Sequence, residues 1–132
     1  METENSNAEK IPVNILWDGI LMIPIFGLID SKRAQDIMDS MLKKVIETKS
    51  KVIILDILGV ATVDSAVANH LIKITKSTRL VGADSIVSGI SADIAQTLVH
   101  LGIDLEKVTT TATLADAVEM AFDKTGLIVK KI

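Results

Sequence analysis

The sequence predicts an α/β domain built on a mixed, mostly parallel sheet of about five strands, with about four helices. Two observations support this fold class. After an opening pair of short apolar runs, segments with helical periodicity alternate with short runs rich in Val and Ile. The run Lys51–Asp56 is continuously apolar between its charged ends, as in a parallel strand that is covered on both faces.

The chain opens with a hairpin pattern. Two apolar runs, Val13–Trp17 and Ile20–Phe26, flank Asp18-Gly19, and Asp-Gly between β-forming residues is a strong hairpin signal. Pro24 has no N–H to donate to a neighbouring strand. It therefore predicts that the second strand lies at a sheet edge or carries a bulge.

A first helix follows the hairpin. Asp30 or Ser31 is expected to cap it, and it runs to about Thr48 with one apolar stripe at helical spacing. The residues expected on the stripe are Ala34, Ile37, Met38, Met41, Leu42, Val45 and Ile46.

The strand Lys51–Asp56 leads into a second helix. A loop through Gly59, Val60 and Ala61 is expected between them, and the helix spans about Ser65 to Leu80, with Gly82 ending it. The residues expected to face the core are Val67, Leu71, Ile74 and Thr78.

Two further strand–helix pairs complete the pattern. A strand at Ser85–Gly89 precedes a short helix capped by Ser91, which reaches about Leu101 and buries Ile94, Leu98 and Leu101. A strand at Val108–Thr111 precedes a last helix that opens at Thr113 with a capping-box variant and closes at Gly126. The residues expected to face the core there are Leu114, Ala117, Val118, Ala121 and Phe122.

The composition restricts the function classes. Cys is absent, which excludes disulfides, thiolate metal sites and thiol catalysis. A net charge of -3 and 2% aromatic residues argue against nucleic-acid binding. The longest apolar run, Ile20–Ile29, is far shorter than the ~20 residues of a membrane-spanning helix. We expect a cytoplasmic protein with a disordered leader at residues 1–10 and a single domain over residues 11–132.

The sequence lacks the usual motifs of catalysis and cofactor binding. It contains no P-loop, no dinucleotide-binding glycine pattern and no Gly-x-Ser-x-Gly elbow. His70 and His100, the two histidines, lie on different predicted helices without a neighbouring carboxylate cluster, which favours structural or surface roles. We therefore expect no enzymatic activity, no metal and no cofactor.

Three carboxylates lie near predicted strand ends. Asp30, Asp56 and Asp64 are expected at one edge of the sheet, because the carboxyl ends of parallel strands meet there. Such a group can hold a cation, which would suit a small-ligand or nucleotide carrier. Asp is also frequent at helix caps and turns, so the residues leave a structural role open as well.

Two hydroxyl residues carry a similar ambiguity. Ser65 follows Val63-Asp64 at the start of the second helix, where a hydroxyl is either an ordinary N-cap or a phosphorylation switch. Thr97 lies beside the buried stripe of the third helix, where Thr usually bonds its own backbone. The residue pattern alone does not choose between these roles.

Three segments resemble one known family. The string D-I-L-G-V-A-T-V-D-S-A-V-A-N-H-L, Asp56–Leu71, is similar to the phosphorylation-site segment of the STAS domain family, which contains the anti-sigma-factor antagonists. The segments Leu80–Leu105 and Trp17–Ser31 are similar to the stressosome branch, particularly the C-terminal domain of RsbR-type scaffold proteins. Together the resemblance covers about Ile11 to Phe122, which is nearly the whole predicted domain.

The resemblance implies a STAS-type fold and a regulatory role. It matches Ser65 to a residue phosphorylated by an RsbT-type switch kinase, Thr97 to a second phosphorylation position, and Asp30 to an acidic position near the phosphorylated residue. Asp64 and Asp56 would add to the same binding surface. Plain antagonists usually have Ser or Thr and then Gly after the Asp-Ser pair, whereas Ala66-Val67 follows here, which favours the stressosome branch.

The partners that the resemblance implies are an RsbT-like switch kinase, other stressosome proteins of RsbR and RsbS type, a PP2C-type phosphatase and a second copy in a homodimer. The protein would sequester the kinase and release it on phosphorylation, in the control of a general stress response. An RsbR output domain and a stand-alone RsbS-like protein both fit. A simple anti-anti-sigma factor and a small-ligand or nucleotide-binding domain are the alternatives.

Overall fold

The computed structural model describes residues 11–102 and 108–132; the predicted leader at residues 1–10 lies outside them. The strands are β1 (Asn14–Trp17), β2 (Ile20–Gly27), β3 (Val52–Val60), β4 (Asp84–Ser88) and β5 (Thr109–Thr110). The helices are α1 (Ser31–Thr48), α2 (Ser65–Leu80), α3 (Ala92–His100) and α4 (Leu114–Lys124). The α/β class, with about five strands and about four helices, is confirmed.

The strands form one sheet in the order β1-β2-β3-β4-β5. β1 runs antiparallel to β2 across a tight turn at Asp18-Gly19, where Gly19 has a φ of +82° that favours glycine. β2, β3, β4 and β5 are parallel. Their carboxyl ends therefore meet at one side of the sheet, which we call the carboxyl edge, and the connections into α1, α2 and α3 begin there.

Pro24 lies in β2 next to an irregularity in the sheet. The pairing of β2 with β3 shifts register between Pro24 and Phe26, as expected where a residue cannot donate to the ladder. The predicted bulge is confirmed. The alternative edge position is wrong, because β1 pairs with β2 on the side away from β3.

The sheet is covered on both faces by separate apolar clusters. On one face, side chains of β2 and β3 such as Ile23 and Leu55 pack against α1 and α2. On the other face, Ile54 and its neighbours pack against Ala117 and Ala121 of α4, both fully buried. Small residues on α4 let that helix approach the sheet closely, so the strands are buried on both sides as their apolar runs predict.

β3 is longer than the sequence predicts. The expected loop at Gly59 and Val60 belongs to the strand, because β2 also continues to Gly27 and the pairing extends to Val60. A Cβ at Gly59 would lie 2.8 Å from the Cβ of Phe26, so a glycine is needed where the two strand ends approach. Gly59 therefore marks close packing within the ladder rather than the end of the strand.

Two residues expected in the core are exposed. Ile46 is exposed because the buried stripe of α1 is narrow and consists of Ala34, Ile37, Met41 and Val45. Leu101 is the C-cap of α3; its backbone N–H still bonds to the carbonyl of Thr97, but its side chain is exposed. In α3 only Leu98 is fully buried, while Ile94 is half-buried.

Candidate functional site

The start of α2 presents Ser65 at the carboxyl edge. Asp64, not Ser65, is the N-cap: its Oδ1 accepts a hydrogen bond of 2.9 Å from the backbone N–H of Val67. Ser65 is the first helical residue and is exposed. The N-cap reading of Ser65 is therefore wrong. Asp takes the cap because its carboxylate accepts the N–H bond and also suits the positive end of the helix dipole.

Asp30 is the N-cap of α1. Its Oδ1 accepts a hydrogen bond of 2.8 Å from the backbone N–H of Arg33, which makes Asp30 the cap and Ser31 the first helical residue. In both helices a buried β-branched residue, Ile29 or Val63, precedes the capping Asp. The buried residue anchors the connection, so each Asp and the following Ser stand at the surface.

The two connections begin side by side. The backbone N–H of Ala61 donates to the carbonyl of Gly27 at 2.9 Å, which ties the end of β3 to the end of β2. Further along, α1 and α2 pack together, and the Ser77 hydroxyl donates to the Met38 sulfur at 3.1 Å. Both connections therefore leave the carboxyl edge on the same face of the sheet, where α1 packs beside α2.

Asp56 has a different environment. It is half-buried where the pairing of β3 with β4 ends. Its Oδ1 accepts a hydrogen bond of 2.8 Å from the hydroxyl of the fully buried Ser88 on β4. Gly89 follows in close contact, since a Cβ there would lie 2.6 Å from the backbone nitrogen of Leu58. The sequence analysis did not find Ser88, although a polar residue at the end of an apolar strand beside Asp56 was an available signal.

The carboxylates do not form a metal centre. Asp30, Asp56 and Asp64 all lie within the described residues, and among residues 11–102 and 108–132 no group of three His, Cys, Asp or Glu side chains could hold a metal ion. The structure therefore favours the capping and turn roles that the sequence left open over the cation-site alternative. Parallel strands bring these residues to one edge, but two of the carboxylates cap helices and the third bonds to Ser88.

Thr97 lies on the neighbouring helix α3 and is exposed. Its hydroxyl donates to the carbonyl of Asp93 at 3.0 Å, the backbone bond that the sequence predicts. It is the sixth residue of a nine-residue helix. Thr97 therefore lies more than one turn from the helix start, further from the carboxyl edge than a position in the N-terminal turn would be.

Three exposed apolar side chains border the carboxyl edge. Phe26 is 57% exposed, Leu28 is 72% exposed and Leu58 is 73% exposed. We call them the apolar rim. No such surface was predicted from the sequence, because burial at the end of a strand depends on which elements cover it. Exposed apolar side chains grouped beside a polar site are typical of protein-binding surfaces.

Among the described residues, the apolar cavity behind this surface is too small for a nucleotide. A small apolar cavity of about 30 Å³ lies beneath α2 and α3, next to Ile57, Leu71 and Leu98. Nucleotide-sized ligands need several hundred cubic ångströms.

The two histidines lie apart from each other. His70 lies half-buried beside Ser31 and Lys73, and His100 is exposed at the end of α3. Within the described parts of the chain, no helix is both long enough and apolar enough to cross a membrane.

The chain belongs to the STAS domain family, whose family model matches residues 15–117. It is 42% identical over 119 residues to the RsbT co-antagonist protein RsbRA of Bacillus subtilis (strain 168), covering 90% of this chain and 42% of that protein. It is 40% identical over 116 residues to the RsbT co-antagonist protein RsbRD of the same organism, covering 88% of this chain and 42% of that protein. The chain thus spans less than half the length of these relatives.

A solved structure shows the same fold. A variant of RsbS from Moorella thermoacetica superposes with a TM-score of 0.74 at 22% identity, over 90% of this chain and 100% of that one. The family and the stressosome branch that the three sequence segments resemble are therefore confirmed.

Proposed function

We propose that this chain is a phospho-regulated scaffold and antagonist of a bacterial stressosome, and that it captures an RsbT-type switch kinase at the carboxyl edge. It is a substrate of the kinase rather than an enzyme, and it acts in the cytoplasm. Ser65 is the principal phosphorylated residue and Thr97 the second. Relatives that are RsbT co-antagonist proteins support this proposal, as does the exposed Ser65 beside an apolar rim.

The observation that carries the proposal is the separation of cap and acceptor at the start of α2. Asp64 makes the capping bond, so the Ser65 hydroxyl is not needed to hold the helix. A kinase can therefore modify Ser65 without removing a structural hydrogen bond. The fold also tolerates the product, because a negative charge in the first turn is favoured by about 0.3–1 kcal/mol.

A phosphate at Ser65 acts on the partner rather than on the fold. It adds roughly -1.5 to -2 charge, beside the carboxylates of Asp64 and Asp30. Like charges placed across an interface cost several kcal/mol, and each ~1.4 kcal/mol weakens binding about tenfold. Phosphorylation of Ser65 therefore releases the kinase, and a PP2C-type phosphatase restores capture. Thr97 lies on a neighbouring helix, and its phosphate adjusts the same interaction from further away.

The test begins with phosphorylation by an RsbT-type kinase and ATP-Mg, read by intact and peptide mass spectrometry. We expect a gain of about 80 Da, the mass of one phosphoryl group, at Ser65. Ser65→Ala should lose that site and keep the kinase captured. Phosphorylation of another residue only, with a kinase active on a second substrate, would contradict the assignment.

A binding measurement then tests the release step. Ser65→Asp should weaken kinase capture at least tenfold, which corresponds to ~1.4 kcal/mol, with little change in the melting temperature. Ala115→Asp is the matched control, since Ala115 is exposed in the first turn of α4, which packs on the opposite face of the sheet from α2. Equal weakening by both variants would show a general effect of charge instead of a switch at Ser65.

The size of the assembly separates this proposal from a simple anti-anti-sigma factor. A stressosome protein should enter a large complex with RsbR- and RsbS-type proteins, whereas a simple antagonist would remain a monomer or a homodimer. Light scattering of the chain alone and mixed with such proteins measures the difference. Binding to an anti-sigma kinase without entry into a complex would favour the simple antagonist.

A further inference from the structure

The segment that leads from the end of β2 into α1, residues 26–30, is called the connection here, and one side chain, Arg33, contacts it at several points. Its guanidinium donates to the carbonyl oxygen of Phe26 and, at 3.0 Å, to the carbonyl oxygen of Leu28. The same guanidinium lies over the Phe26 ring, 5.5 Å from its centre. The backbone N–H of Arg33 is also the group that the Asp30 carboxylate caps. Arg33 thus contacts residues at both ends of the connection.

Most of this segment is exposed, although Phe26 and Gly27 also pair with Gly59 and Val60 of β3. Ile29 is buried, whereas Phe26, Gly27, Leu28 and Asp30 are all exposed. Gly27 has a φ of +79°, a left-handed backbone conformation that turns the carbonyls of its neighbours toward the arginine. Strand pairing holds the backbone of Phe26 and Gly27, and core packing holds Ile29. The guanidinium therefore acts on the presentation of the Phe26 ring and of Leu28.

We propose that Arg33 is a positioning residue for kinase capture: it holds Phe26, Leu28 and Asp30 in the conformation that the kinase binds. The inference rests on the proposed function and adds a residue to it. Two features of the structure favour this role. The connection contains two of the three apolar rim residues, and the hydrogen bond between Ala61 and Gly27 joins it to the connection that leads to Ser65.

The geometry calls for arginine rather than lysine. One guanidinium nitrogen, Nη1, donates to both carbonyls, while the planar, delocalised group lies over the Phe26 ring. A lysine ammonium is a compact charge on a flexible stem, so it can replace the charge and the carbonyl contacts but not the contact of a planar group with the ring. Arg33→Lys should therefore fall between the wild type and Arg33→Ala in every measurement below.

The experiment compares the wild type, Arg33→Lys and Arg33→Ala, with Arg79→Ala as the matched control. Arg79 is exposed in the last turn of α2, away from the carboxyl edge. For each chain, the Kd for an RsbT-type kinase, the KM and kcat for Ser65 phosphorylation and the melting temperature are measured. Amide hydrogen exchange of residues 27–30 reports separately on the conformation of the connection.

We expect Arg33→Ala to weaken capture about tenfold and to raise KM by a similar factor, with kcat nearly unchanged. Exchange at residues 27–30 should speed up, and Arg79→Ala should match the wild type in capture and exchange. Wild-type Kd and KM in folded Arg33→Ala would overturn the inference, whatever the change in melting temperature. If Arg33→Ala does not fold, the same criterion applies to Arg33→Lys.

A failure of the proposed function would look different. In that case the wild-type chain would neither capture the kinase nor accept phosphate at Ser65, and the role of Arg33 in capture would fall with it. Hydrogen exchange would still decide whether Arg33 holds the connection, because that measurement needs no kinase.

Discussion

Replacement of Gly89 by Ala should destabilise the domain strongly. The added Cβ would lie 2.6 Å from the backbone nitrogen of Leu58, 2.8 Å from Oδ1 of Asp56 and 2.9 Å from Cα of Leu58. Two of these atoms are backbone, and the third already accepts the hydrogen bond from Ser88. Neither strand β3 nor the Asp56–Ser88 pair can move away without losing contacts.

The loss in the free energy of unfolding of Gly89→Ala has two parts. Gly89 has a φ of +84°, and a residue with a Cβ loses about 1–2 kcal/mol in that region. Relief of the contacts by shifts of the backbone costs about another 1–3 kcal/mol, as in overpacked cores. We therefore expect a loss of roughly 2–5 kcal/mol in the free energy of unfolding. For a domain of this size, each kcal/mol lowers the melting temperature by about 4 °C.

Gly82→Ala separates the two parts. Gly82 also has a positive φ, +92°, but a Cβ there would meet no atom within 4 Å. That variant should lose only the conformational part, about 1–2 kcal/mol. Urea unfolding of both variants, followed by circular dichroism, measures the difference. Equal losses would refute the close approach of Gly89 to β3 and with it the described environment of Asp56.

Four further substitutions test the site. Asp64→Ala should lower the free energy of unfolding by about 1 kcal/mol, because it removes the α2 cap. Ser65→Ala should change the free energy of unfolding by less than about 0.5 kcal/mol. A larger effect at Ser65 than at Asp64 would contradict the cap assignment. Ser88→Ala should cost about 1–2 kcal/mol in urea unfolding, since the half-buried Asp56 loses its donor. Leu58→Ser should weaken kinase capture with little loss of stability. The control is Ile46→Ser, because Ile46 is 64% exposed at the far end of α1.

Much of the fold could be predicted because local signals and burial agree. The Asp18-Gly19 turn, the continuous apolar run of β3 and the helical stripes each specify one structure, and the described chain shows all of them. The errors occur where burial depends on distant elements. Gly59 looked like a loop residue because its partner, the end of β2, lies far away in sequence. Ile46 looked like a core residue because the width of the α1 contact is not encoded locally.

The site was only partly predictable for the same reason. The sequence placed Asp30, Asp56 and Asp64 at one edge, but it could not show that Asp30 and Asp64 would be used as caps and that Asp56 would bond to Ser88. The role of Arg33 depends on the left-handed turn at Gly27, which aligns two carbonyls with one guanidinium. Side-chain bonds of this kind appear only once the backbone path is known.

The division of labour between Asp64 and Ser65 has an evolutionary consequence. Because the helix cap and the hydroxyl that we propose as phosphate acceptor belong to different residues, a mutation that removes the hydroxyl should leave the architecture nearly intact. Duplicated copies of such a domain can therefore lose or regain phosphorylation in a single step while still folding. A mixed population of responsive and silent subunits could arise in this way, and their ratio would set the sensitivity of the assembly.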